Sequence, residues 1–149
     1  MKRLQPIVFF LLILIPGTGC DSAADDPIPE APREVADNEY TVLPSGVKVY
    51  DFAVGSGSKP IAGQQLSVHY TGWLTDGTRF DSSRGGAPFS YIFGLGQVIP
   101  GWEEGVTDMR PGGDRQVVIP PQLGYGERGN GPVPPNATLI FEIELLSIE

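Results

Sequence analysis

From Tyr40 to the C-terminus the chain is cut by Gly, Pro and Asp-Gly into short segments whose apolar residues alternate with polar ones. Glycine and proline interrupt long helices, and alternation at period two puts one face of a strand inward, so this pattern predicts short antiparallel strands. Leu66, Val68 and Tyr70 fall on one face of a strand from Gln65 to Trp73, with Ser67, His69 and Thr71 on the other. Asp76-Gly77 supplies a tight turn into the extended run Arg79-Phe80-Asp81. A further strand covers Gln116 to Ile119 and stops at Pro120-Pro121, and a last one covers Leu139 to Ile148. In that last strand Leu139, Phe141, Ile143 and Leu145 point inward, as expected of a central strand.

The one helix predicted starts near Pro100. Proline at the first helical position costs no hydrogen bond, and Glu103 and Glu104 sit beside the positive end of the dipole. Gly105 and then Pro111-Gly112-Gly113 end it early. The expected fold is therefore α+β: a curved antiparallel sheet with one brief helix packed on its concave face.

Charge and side-chain inventory exclude several kinds of chemistry. With 10 Lys and Arg against 18 Asp and Glu, the net charge is −8, and the clustered cations that neutralise nucleic-acid phosphates are missing. Cys20 is the only cysteine and cannot close an intramolecular disulfide. His69 is the only histidine and has no second His or Cys to share a metal, so no metal site and no cofactor are expected. It lies on the strand face opposite Tyr70 and reads as structural. Gly126 to Gly131 is glycine-rich but lacks the Lys-Ser/Thr ending of a phosphate cradle. Asn136-Ala137-Thr138 matches a glycosylation sequon, a coincidence if the chain is bacterial.

Residues 1–19 have the layout of a secretory signal. Lys2 and Arg3 precede nine apolar residues, Ile7 to Ile15, which are too few for a permanent membrane span of about 20 residues. Thr18-Gly19-Cys20 resembles a bacterial lipobox, in which Cys20 is lipidated and becomes the first mature residue; Gly17 departs from the aliphatic residue usual there. Residues 20–39 continue as an acidic, proline-rich stretch. Positions 21–39 hold seven acids, one base and three prolines, and are expected to form a disordered, self-repelling tether. The expected location is extracytoplasmic, with the protein anchored to a bacterial membrane by its lipid.

Four motifs in residues 40–149 resemble the FKBP-type peptidyl-prolyl cis/trans isomerases, in order and at nearly the family's spacing. They are Val68-His69-Tyr70-Thr71-Gly72, Phe80-Asp81-Ser82-Ser83-Arg84, Val98 through Val106, and Pro134 through Leu139. The resemblance implies a half-barrel of about five antiparallel strands wrapped round the helix. It also implies an apolar pocket of Tyr70, Phe80, Asp81, Phe89, Val98, Ile99, Trp102, Tyr125 and Phe141, with Trp102 as the floor. The Ile99 amide and the Tyr125 hydroxyl resemble the groups that bind the peptide's carbonyl oxygens, and Asp81 resembles the polar residue beside the proline site. Tyr91, commonly aromatic in the family, reads as packing.

Proline-containing polypeptides and the macrolide ligands of that family are the implied partners, and a monomer is the implied state. The loops from Arg84 to Phe89 and from Gly126 to Pro134 are each one residue shorter than in common family members. Asn130 stands where many members carry His, and Leu123 replaces a frequent tyrosine. The same pocket would also suit a module that holds proline segments with little turnover, so two functions follow: an isomerase, or a proline-binding chaperone.

Overall fold

A computed structural model of the protein describes residues 27–149. The signal segment 1–19 and the lipidation assigned to Cys20 lie outside the described residues.

Among the described residues seven strands form one antiparallel sheet, rather than about five. They are β1 (Thr41–Val42), β2 (Lys48–Ala53), β3 (Gln65–Leu74), β4 (Arg79–Ser82), β5 (Phe89–Ile92), β6 (Asp114–Ile119) and β7 (Leu139–Ile148). The order across the sheet is β1-β2-β6-β7-β3-β4, with β5 also pairing β3. The two extra strands are short. β1 adds only Thr41 and Val42 to β2, and β5 covers the half of β3 that β4 does not reach, from Gln65↔Ile92 to Val68↔Phe89. Their patterns are too short for periodicity to announce them.

β7 is central, as its inward alternation predicts, lying between β6 and β3 with registers such as Val117↔Phe141 and Tyr70↔Ile143. The turn at Asp76-Gly77 forms with Gly77 at φ +86°, a conformation open to glycine, and with its amide donating to the Leu74 carbonyl at 3.0 Å.

Helix α1 (Pro100–Val106) begins on a proline and crosses the concave face. Two of its glycines set how closely it approaches. A Cβ on Gly101 would stand 2.3 Å from Ile119 Cγ2, and one on Gly105 would stand 2.6 Å from Val117 Cγ1. Any larger residue would lift the helix off β6. Arg115, on the same face of β6, ties it down as well: its guanidinium donates to the Gly105 carbonyl at 2.8 Å and, in a fork, to Asp51 at 2.6 and 2.8 Å, with Asp108 as a further partner. The core between sheet and helix holds Val47, Leu66, Val68, Val106, Val117, Ile119, Leu139, Ile143 and Leu145.

The segment read as a solvated tether departs from that expectation in its described part. Residues 28–40 run across the outer, convex face of the sheet. The Arg33 backbone N–H donates to Glu142 Oε1 at 2.6 Å, its Nε donates to Oε2 at 2.9 Å, and its guanidinium also reaches Asp114 at 2.8 Å. The same guanidinium lies 3.4 Å from the centre of the Phe52 ring. Gln116 Nε2 donates to the Arg33 carbonyl at 2.8 Å, and the Tyr40 hydroxyl donates to Gln116 Oε1. Composition misleads here because the segment's few anchors, Ile28 and Arg33, find partners only on the assembled sheet.

Candidate active site

The concave face opens beside the N-terminal end of α1 into a cup of about 490 Å³ lined by Tyr70, Asp81, Phe89, Gly96, Gln97, Val98, Ile99, Trp102, Tyr125 and Phe141. Four elements supply its aromatic walls. Tyr70 and Phe141 come from neighbouring positions of β3 and β7, Phe89 opens β5, and Trp102 rises from the first turn of α1.

The rings meet edge to face. Trp102 stands 4.9 Å from Phe141 and 5.0 Å from Tyr70, at interplanar angles of 73° and 83°. Tyr70 and Phe89 are 5.7 Å apart. Such edge-to-face contacts are attractive and add to the burial of the rings, so the walls hold one another in place without a bound peptide.

Tyr91, which reads as packing in the sequence, has a polar task as well. Its hydroxyl accepts the Trp102 indole N–H at 3.1 Å, which satisfies a buried donor and fixes the plane of the floor. Burial holds the Tyr91 hydroxyl well above the usual tyrosine range, and the negative charge of Glu103 pushes the same way against the indole N–H.

The polar groups of the cup divide into two kinds. Tyr70 donates its hydroxyl to Asp81 Oδ2 at 2.7 Å, and the Ser82 amide donates to Asp81 Oδ1 at 2.9 Å, so both carboxylate oxygens are held. Burial, together with that bond and the carboxylate's charge, lifts Tyr70 far above the ordinary tyrosine value, so it remains a donor at any ordinary pH. The Ile99 amide and the Tyr125 hydroxyl, by contrast, have no hydrogen-bond partner among the described residues. Both lie in the lining, and they are the two groups the resemblance assigns to peptide carbonyls.

Eight of the nine residues expected in the pocket therefore line one cup. Phe80 is the exception. It is half-buried behind the wall, with its ring 5.5 Å from Phe141 and edge-on to it, because Gly72 between them leaves room only for two rings in contact. Gly96 and Gln97 line the cup without having been singled out. Gln97 holds the rim by accepting the Ile92 amide at 2.9 Å, a contact no spacing rule would reveal. His69 stands on the outer face, with Nδ1 3.0 Å from the Ser83 hydroxyl, in agreement with a structural role.

Comparison with known proteins gives the same family throughout. Residues 56–146 match the FKBP-type peptidyl-prolyl cis-trans isomerase family. The FK506-binding protein of Neisseria meningitidis serogroup A is 49% identical over 102 residues, covering 67% of this chain and 94% of that protein. The peptidyl-prolyl cis-trans isomerase Fkbp12 of Drosophila melanogaster is 49% identical over 107 residues, covering 70% of this chain and 99% of its own length. Among solved structures, AtFKBP13 superposes with a TM-score of 0.70 at 39% identity, over 74% of this chain and 99% of that one. FkpA of Escherichia coli superposes with the same TM-score at 38% identity, over 76% of this chain and 53% of FkpA. With its fold, its cup and its relatives in agreement, the chain belongs to the FKBP-type peptidyl-prolyl cis/trans isomerases.

Proposed function

We propose that this protein turns X-Pro bonds in extracytoplasmic client proteins by drying the imide in the Trp102-floored cup, and that lipid on Cys20 holds it at a bacterial membrane. Rotation about an X-Pro bond meets a barrier of about 18–20 kcal/mol, which comes from amide resonance. Water favours the planar amide, whose carbonyl carries partial charge, over the twisted transition state, which has lost it. A cup walled by rings removes that preference and fits the twisted shape, so no nucleophile is needed. A thousandfold acceleration asks for only about 4 kcal/mol.

The observation that carries this reading is the pairing of apolar walls with two unspent donors. The Ile99 amide and the Tyr125 hydroxyl are free to take the client's carbonyl oxygens and orient the chain on either side of the prolyl ring. Tyr70 and Asp81, already bonded to each other, make a fixed polar edge beside the ring. The same cup suits FK506-type ligands, which the names of the relatives attach to those proteins.

A protease-coupled assay on a short X-Pro peptide tests the catalytic reading. Acceleration well above the uncatalysed rate is expected, and its absence would leave only proline-segment binding. Radioactive palmitate fed to producing cells should label the wild type and leave the Cys20→Ala variant unlabelled; equal labelling of the two would reject the anchor.

A further inference from the structure

We propose that residues 28–33 are a working part of the isomerase, a strap that positions the short strand β4 and with it the Asp81 side of the cup; the catalytic half of this claim rests on the function proposed above. The strap lies outside the matched family region, which begins at residue 56.

β4 needs such support. It is four residues long, stands at the edge of the sheet, and among the described residues pairs only with β3. Those pairs are Thr71↔Ser82, Gly72↔Asp81 and Trp73↔Arg79, with a register break between Gly72 and Trp73. Yet β4 carries Asp81, which lines the cup, and Phe80, which backs Phe141. A short edge strand with an interrupted ladder is the kind of element that opens locally at low cost.

The strap grips β4 at both ends. At its start, Arg79 Nη1 donates to the Pro29 carbonyl at 3.1 Å. Just beyond its end, Ile28 Cδ1 lies 3.3 Å from where a Cβ on Gly85 would stand, so the isoleucine seats on a glycine at φ +82° in the loop that leads to Phe89. Between these points Trp73, fully buried although it points to the outer face, donates its indole N–H to the Glu30 carbonyl at 3.1 Å. Arg33 then fastens the strap to Glu142 and Asp114 on the far side of the sheet.

The strap is thus anchored on β6 and β7 and ends on the strand that frames the reaction. Its grip fixes where the Asp81 carboxylate and its Tyr70 bond stand relative to the floor. Ile28 and Arg79 are positioning residues, since neither lines the cup.

The test uses the mature full chain with Ile28→Ser, Ile28→Leu and Arg79→Met. Amide hydrogen exchange of Phe80 to Ser82, read against that of β6 as internal standard, should quicken about tenfold in Ile28→Ser and Arg79→Met, since local opening governs it. In the same two variants kcat/KM on a short X-Pro peptide, measured well below Tm, should fall about fivefold through loss of geometry. Ile28→Leu should restore both to near wild type. A lower Tm with unchanged β4 exchange and unchanged kcat/KM would reduce the strap to general packing and overturn the proposal. If the wild type shows no turnover, the proposed function fails, and the exchange measurement still decides whether the strap holds β4.

Discussion

The two faces of the sheet handle their polar groups in opposite ways. On the outer face the buried Gln116 and Glu142 are paired with each other, with Arg33 and with Tyr40. On the concave face, in the cup, the Ile99 amide and the Tyr125 hydroxyl have no partner among the described residues. A buried polar group without a partner is costly, and among the described residues every buried side-chain N or O atom has one. A face that leaves donors unspent at the mouth of an apolar cup keeps them for a ligand.

Breaking the floor should give the largest effect on rate. Trp102→Leu keeps an apolar side chain in place but removes the ring that meets Tyr70 and Phe141, and kcat/KM on an X-Pro peptide should fall about a hundredfold, equivalent to about 3 kcal/mol. Circular dichroism should stay native. The outer face should answer in the other currency. Glu142→Leu strips the acceptor from both Arg33 and Gln116, and denaturant unfolding should show a loss of about 2–4 kcal/mol. Activity per folded molecule should fall no further than in Ile28→Ser, because the Glu142 side chain points away from the cup and, among the described residues, none of its hydrogen bonds reaches a cup residue.

A sharper version of the comparison is Tyr125→Phe. The hydroxyl has no partner among the described residues, so its removal should leave Tm nearly unchanged while kcat/KM drops about tenfold, equivalent to about 1.4 kcal/mol. An equal fall in stability would mean the hydroxyl is already spent on the fold. The smallest effect concerns pH. Tyr70 and Tyr91 hold their protons above the ordinary tyrosine value in the folded state. Above about pH 10 the unfolded chain therefore releases protons that the folded one retains, and stability should decline as pH rises further. Thermal unfolding followed from pH 8 to 11 should show that decline, and it should shrink in Tyr91→Phe.

The parts of the molecule legible in the sequence are those with a local cause. The helix start at Pro100, the alternation of β3 and β7, and the Asp76-Gly77 turn each rest on residues within a few positions of one another. The short strands β1 and β5 were not legible, since Thr41–Val42 and Phe89–Ile92 become strands only by pairing with β2 and β3. Residues 28–39 depart from the expected tether for a related reason. Their acids and prolines suit an unfolded spacer, and their anchors gain partners only once β6 and β7 bring Asp114, Gln116 and Glu142 together. Most of the cup was readable through the order of its motifs. The retreat of Phe80 behind Phe141 was not, because it depends on the space above Gly72.

Backbone propensity and alternation act over a few residues, so they were enough to set the longer strands, the Asp76-Gly77 turn and the helix start, and to show which aromatic residues were available for a cup. Only the tertiary structure decided which ring lines the cup, which donors stay unspent, and that a stretch resembling loose chain becomes a strap. Those outcomes depend on distances between residues far apart in the chain, and such distances exist only after the sheet has closed round its helix.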